Sequence, residues 1–135
     1  MKFSINKNQL QNLLLEHQKV VPLRTTLPIL SCAFFSISNN ELTIKTTDLE
    51  QTIISKTKIE NEKEGSVCVF MNKLVEIVSA LPDEEIKITT NEDLLVEINN
   101  KQGTYKITGR NSAEFPENPP VQTKDTLKIK INFFI

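Results

Sequence analysis

The sequence predicts an α+β fold with helices on one side of the sheets, and three observations carry that prediction. Two segments place apolar residues at helical spacing, Leu10, Leu13, Leu14 and His17 in one and Leu74, Val75, Ile77, Val78 and Leu81 in the other, and a proline closes each. Eight further segments alternate apolar with polar residues or run continuously apolar, as strands do. Their order is strand-helix-strand-strand-strand, and it occurs twice. This is a repeat of structure without an obvious repeat of sequence. Each unit must bury one helix face against a sheet, which gives two layers around one core.

The elements follow in order. Residues 1–6 set Phe3 and Ile5 against Lys2 and Ser4, the period of a strand. Asn6 can then cap a helix, because its side-chain oxygen can accept from an otherwise unpaired backbone N–H. Leu15 widens that helix's apolar stripe, and Pro22 ends it. Residues 30–38 form an apolar strand, Asn39 and Asn40 a tight turn that tolerates positive φ, and residues 41–47 and 52–59 two more strands. Residues 61–65 read as a polar loop. The pattern restarts with a strand over 66–71, a helix capped by Asn72 and ended by Pro82, and strands over 85–90, 94–99 and 104–108. Residues 91–93 and 99–103 read as the turns between the last three.

Composition excludes several function classes. The 135 residues are 39% hydrophobic and 24% charged, as expected of a folded chain able to bury a core. The net charge of −1 argues against a small basic protein that coats nucleic acid by bulk charge. Only three glycines occur, none followed by Lys, so phosphate-cradling glycine loops are absent. A single histidine, His17, rules out a histidine-rich zinc site and reads as a helix-end residue without catalytic duty. Cys32 and Cys68 both sit in apolar runs and read as buried thiols of a reducing compartment, too few for a disulfide framework. No apolar stretch of signal-peptide or membrane-spanning length opens the chain.

The composition shifts after Phe115, where Pro116, Pro119 and Pro120 lie close together. Residues 1–116 are therefore expected to form one domain and residues 117–125 a semi-rigid linker. The string Lys128-Ile129-Lys130-Ile131-Asn132 matches Lys2-Phe3-Ser4-Ile5-Asn6 in pattern, so residues 126–135 read as the first strand of a second copy. On this reading the chain is a piece of a longer repeat protein.

The string Arg24-Thr25-Thr26-Leu27-Pro28-Ile29-Leu30, followed in order by Thr47-Asp48-Leu49-Glu50, Ala80-Leu81-Pro82 and Glu114-Phe115-Pro116, closely resembles the N-terminal domain of the bacterial DNA polymerase III β subunit, the sliding clamp. The opening Met1-Lys2-Phe3 fits as well, and the resemblance spans nearly the whole chain. It implies the DNA-clamp fold: three similar domains per chain, and two chains closed head to tail in a homodimeric ring with helices lining the pore. It implies no reaction and no cofactor or metal. The whole protein would encircle double-stranded DNA in the bacterial cytoplasm and tether DNA polymerase III, with a clamp loader as a further partner.

A ring holds DNA by enclosing it, so a net charge near zero suffices and the location of the cations decides. Residues 1–24 carry Lys2, Lys7, Lys19 and Arg24 against Glu16, a net +3, which leaves −4 for the rest. Much of that acidity falls on Glu60, Glu62, Glu64, Asp83, Glu84, Glu85, Glu92 and Asp93. The resemblance makes Arg24 the leading DNA contact, since a guanidinium can hold phosphate with two N–H groups. Lys7 and Lys19 are further DNA-contact candidates. The first helix is rich in Gln9, Gln11, Asn12 and Gln18, whose amides can donate to phosphate without the Coulomb attraction of a cation. Lys73, Tyr105 and Ile107 match positions at the ring interface, where the first domain of one chain meets the third domain of the other. Two other readings stand beside this one. One is an α+β interaction domain without DNA function. The other is an enzyme built on Asp48 and Glu50, which would share one face of a strand at i, i+2 spacing.

Overall fold

The structure is a computed structural model, and it describes residues 1–22 and 24–117. The expected linker after Glu117 and the expected strand over 126–135 lie outside the described residues. The element order is β1 (Lys2–Asn6), α1 (Lys7–Gln18), a 3-10 turn (Pro28–Ser31), β2 (Cys32–Ser38), β3 (Glu41–Thr47), β4 (Thr52–Lys58), β5 (Glu60–Lys63), β6 (Gly65–Phe70), α2 (Met71–Ser79), β7 (Glu85–Thr90), β8 (Leu95–Asn100), β9 (Gly103–Thr108) and a second 3-10 turn (Ser112–Glu114). The α+β class and the doubled strand-helix-strand-strand-strand order are therefore observed, with three local departures.

First, the stretch expected to be a polar loop contains β5, an edge strand antiparallel to β1. Its Glu62 meets Lys2 at 3.3 Å and Lys87 at 2.9 Å, so charge pairing across strands holds a segment that has little apolar content of its own. Those two ammonium groups keep the Glu62 carboxyl below the ordinary carboxylate range. Second, α2 begins at Met71 with Phe70 in the capping position, and Asn72 does not cap it. The fully buried Met71 anchors the helix start directly to the end of β6. Third, Pro28 opens a 3-10 turn, so β2 starts at Cys32, two residues later than the apolar run suggests. Other local expectations hold. The Asn6 side chain accepts from the backbone N–H groups of Asn8 and Gln9, and Asn39 and Asn40 turn the β2–β3 hairpin with φ of 53° and 60°.

The strands form a five-stranded sheet, β5-β1-β7-β8-β9, and a four-stranded sheet, β4-β3-β2-β6. All paired neighbours are antiparallel. The two units are thus interlocked: each sends its first strand into the other's sheet. β1 pairs β7 with Phe3 opposite Ile88 and Ile5 opposite Ile86, while β6 pairs β2 with Val67 opposite Phe35 and Val69 opposite Ala33. Apolar alternation fixes which face of a strand is buried; it does not choose the partner. One core unites both units, with Phe3, Leu10, Leu14, Phe35, Leu42, Ile44, Met71, Leu74, Val78, Ile86 and Ile98 in a single cluster. Fully burying each such side chain is worth roughly 1.5–3 kcal/mol. Leu15, expected to widen the apolar stripe, is instead 42% exposed.

The other face of the four-stranded sheet carries a second, smaller cluster of Cys32, Cys68 and Phe115, joined by Ile29, Phe34 and Phe70. Both thiols are free and buried, as the sequence suggests, and burial pushes Cys32 up to about 11 and Cys68 to about 12. The segment that covers them is held by paired backbone bonds between Cys68 and Arg110, 3.0 and 2.8 Å, and by the Arg110–Glu114 ion pair at 2.8 Å.

Candidate binding surfaces

The two helices lie side by side and antiparallel, because Gln11 near the start of α1 reaches Ser79 at the end of α2, and Gln18 at the end of α1 reaches Asn72 at the start of α2. The first bond runs from Gln11 Nε2 to Ser79 Oγ at 3.1 Å and the second from Gln18 Nε2 to Asn72 Oδ1 at 3.2 Å. Gln9 Nε2 donates to Thr57 Oγ1 at 2.8 Å. Three amides expected to be available for a phosphate are thus committed within the protein. Their i, i+7 spacing at Gln11 and Gln18 is the one sequence signal that points to the helix pairing.

His17 sits under α1 with no solvent exposure. Its Nδ1 lies 2.7 Å from Thr46 Oγ1 on β3 and its Nε2 lies 2.8 Å from Ser55 Oγ on β4. Burial lowers its pKa to about 4, so near neutral pH it is an uncharged ring between two hydroxyls. It lies in the last turn of α1, as the sequence suggests, and is a buried structural polar group of the core.

The proposed DNA contacts separate into three environments. Arg24 is exposed on the loop after α1 and has no ion-pair partner among the described residues, Asp48 included. Lys19 caps the C-terminal end of α1 with its side chain exposed, 3.4 Å from Glu16. Lys7 differs from the expectation: it is only 9% exposed, at the first position of α1, where its backbone N–H donates to the Glu84 carbonyl at 2.9 Å. The turn from β1 into α1 draws that side chain against the fold, and an exposed helix lysine is not what the structure shows.

Arg24 lines an open groove of about 570 Å³ together with Thr25, Pro28, Ser31, Phe70, Asn72 and Lys73. A second groove, of about 470 Å³, runs between α2 and β9 and contains Lys73, Tyr105 and Ile107 together with Glu76 and Ile77. The three residues expected at a ring interface are thereby gathered into one place. β9 is the edge of the five-stranded sheet opposite β5, and of its six residues only Ile107 is buried. Tyr105 is 40% exposed, whereas Ile107, at 8%, belongs to the core and offers the groove only its rim. Lys73 lines both grooves, 3.9 Å from Glu76.

The pairing required by an enzyme reading is not formed. Asp48 lies in a turn, where its Oδ1 accepts from the backbone N–H groups of Glu50 and Gln51 at 2.9 and 2.7 Å, and Leu49 between them has φ of 80°. Among the described residues no cluster of three or more His, Cys, Asp or Glu side chains could hold a metal, and no helix is long and apolar enough to cross a membrane.

Two interlocked sheets, an antiparallel helix pair and an edge strand β9 with five of its six residues exposed define an α+β domain of two similar units. The chain belongs to the DNA polymerase III beta subunit family, whose N-terminal domain model matches residues 1–119. Relatives include the beta sliding clamp of Chlamydia pneumoniae, 25% identical over 90% of this chain and 33% of that protein, and that of Helicobacter pylori, 29% identical over 100% of this chain and 36% of that protein. Solved structures agree. A Helicobacter pylori beta clamp bound to a DNA ligase peptide aligns with TM-score 0.83 at 28% identity over 88% of this chain and 33% of that one. A sliding clamp from Bartonella birtlesii bound to griselimycin aligns with TM-score 0.84 at 28% identity, over 89% and 32%. The chain spans about one third of the length of these relatives.

Proposed function

We propose that the chain serves as the first domain of a sliding clamp, a non-catalytic ring that encircles double-stranded DNA and holds a replicative polymerase on it in the bacterial cytoplasm. The carrying observation is the β9 edge beside a groove that gathers Lys73, Tyr105 and Ile107. An edge strand with no neighbour on one side among the described residues, and with five of its six residues exposed, invites pairing with another sheet. A groove lined by one aromatic ring, Tyr105, and two ammonium groups, Lys73 and Lys106, against the single carboxylate of Glu76 suits an apolar and acidic partner surface. In a closed ring that partner is the third domain of the second chain. DNA polymerase III and the clamp loader are partners of the whole ring. Arg24, exposed and without an ion-pair partner among the described residues, supplies a phosphate contact, and Lys19 a weaker one at the end of α1, where Glu16 partly neutralises it.

The test uses the whole protein that carries this domain. Loaded onto nicked circular DNA, it should remain bound through gel filtration and leave when the circle is linearised. Equal loss from circular and linear DNA would refute enclosure. Light scattering should give a dimer that Tyr105→Ala with Lys73→Glu converts to monomer; a dimer unaffected by that pair would remove the β9 groove from the interface.

A further inference from the structure

We propose that the groove between the Arg24 loop and the start of α2 is a phosphate-binding site, with Arg24 and Lys73 as its two cations and Ser31 and Asn72 as neutral donors. This deepens the clamp reading by naming co-ligands for the phosphate that Arg24 would contact. It also assigns Lys73 a duty besides the ring interface.

The lining supports an anion on chemical grounds. It contains Arg24 and Lys73, three polar side chains and no carboxylate. Among the described residues Arg24 has no charged partner to compete with an incoming anion. Among the described residues Lys73 pairs only with Glu76, at the outer limit of ion pairing and in the neighbouring groove, so its exposed ammonium can be drawn away at little cost. Asn72 is oriented by use: Gln18 occupies its amide oxygen, which leaves the Nδ2 hydrogens free to donate. The Ser31 hydroxyl has no partner among the described residues, whereas the Thr25 hydroxyl is spent on the Leu27 backbone, accepting from its N–H at 3.0 Å. A phosphate offers oxygens in several directions and can meet a guanidinium fork on one wall and an ammonium on the other. Pro28 and Phe70 supply apolar walls that suit a flanking sugar or base. Because the groove is open to water, binding should be weak and sensitive to salt.

The source of the phosphate is either the free ion or a nucleic-acid backbone, and the experiment separates them. The ¹⁵N-labelled chain is titrated with inorganic phosphate at constant ionic strength, and separately with a short DNA duplex. Saturable shifts of the Ser31, Asn72 and Lys73 amides and of the Asn72 side-chain amide are expected with phosphate. Arg24→Ala and Lys73→Ala should each weaken binding about tenfold, as loss of one charge-assisted contact does. The near-isosteric Asn72→Asp, on an exposed helix position, should abolish it. Lys56→Ala, on β4 and away from the groove, should change nothing. Shifts with the duplex but none with phosphate would support the site and assign it to a phosphodiester; the reverse would assign it to the free ion. Absence of saturable shifts at Ser31 and Asn72 with both ligands overturns the proposal. If Arg24→Ala weakens duplex binding while Asn72→Asp and Lys73→Ala leave it unchanged, the groove is refuted and the clamp reading stands.

Discussion

Acidification should destabilise this domain through one residue, His17. The imidazole is fully buried and satisfied by two hydroxyls, so the folded state holds it neutral, with a pKa of about 4 against 6.5 when free. The unfolded chain binds a proton more readily than the folded one at every pH between these values. Stability is therefore undiminished above pH 6.5, falls as the pH drops through that value, and levels off below about 4. The full difference corresponds to about 3 kcal/mol at 1.36 kcal/mol per pH unit, and about 2 kcal/mol of it is lost between pH 7 and pH 5. Carboxylates contribute their own pH dependence, so the measurement is a difference. Urea unfolding followed by circular dichroism at pH 7 and pH 5 is compared for the wild type and His17→Gln, which keeps an amide for Thr46 or Ser55 and cannot titrate. The wild type should lose about 2 kcal/mol more than the variant over this range. Parallel profiles, or a His17 Cε1 resonance that titrates near 6.5 in the folded protein, would refute the reasoning.

The remaining predictions concern packing, charge and thiols. Gly109→Ala places a Cβ 2.8 Å from both the Leu94 carbonyl oxygen and Val67 Cγ2, one of them backbone, and should lower unfolding stability by about 1–3 kcal/mol in urea. Glu62→Gln removes the carboxylate shared by Lys2 and Lys87, so β5 should show faster amide exchange at low salt, with the difference shrinking in 1 M NaCl, about the point where the screening length falls to 3 Å. Cys32 and Cys68, buried and pushed well above the usual thiol range, should resist a disulfide reagent at pH 8 until urea is added; Phe115→Ala, which uncovers them, should restore reaction in the folded state.

What the sequence makes legible is local. Phe3 and Ile5 announce β1, Asn6 announces its cap, and paired asparagines announce a hairpin turn, because each signal is written within a few residues of its effect. The buried helix stripe Leu10, Leu14 and His17 is legible for the same reason. Three things are not. The β5 strand is held by Glu62 reaching two lysines on other strands, a contact with no local trace. Exchange of first strands between sheets is a choice of partner, and period-two alternation is equally satisfied by either partner. The burial of Lys7 comes from the direction in which the chain turns out of β1, which composition cannot express. The binding surfaces divide likewise. The family resemblance points to Arg24, Lys73, Tyr105 and Ile107 as candidates, whereas Asn72 comes beside Arg24 only through the fold.

The exchange of first strands also bears on how the domain is made. Residues 2–6 find their partners at 85–90, and the Met1 ammonium donates to Thr90 Oγ1 at 3.2 Å while the Thr90 N–H returns a bond to the Met1 carbonyl at 2.9 Å. During synthesis the first strand must wait for more than eighty later residues before its ladder can close, and so distant a pairing slows folding. Neither half can complete its own sheet, since each lacks the strand held by the other. A gene for one half alone would yield a chain whose natural resolution is to trade first strands with a second copy, the geometry of a swapped dimer. Joining two such halves end to end converts that dimer into this single chain, and the short strand β5 lies along the join.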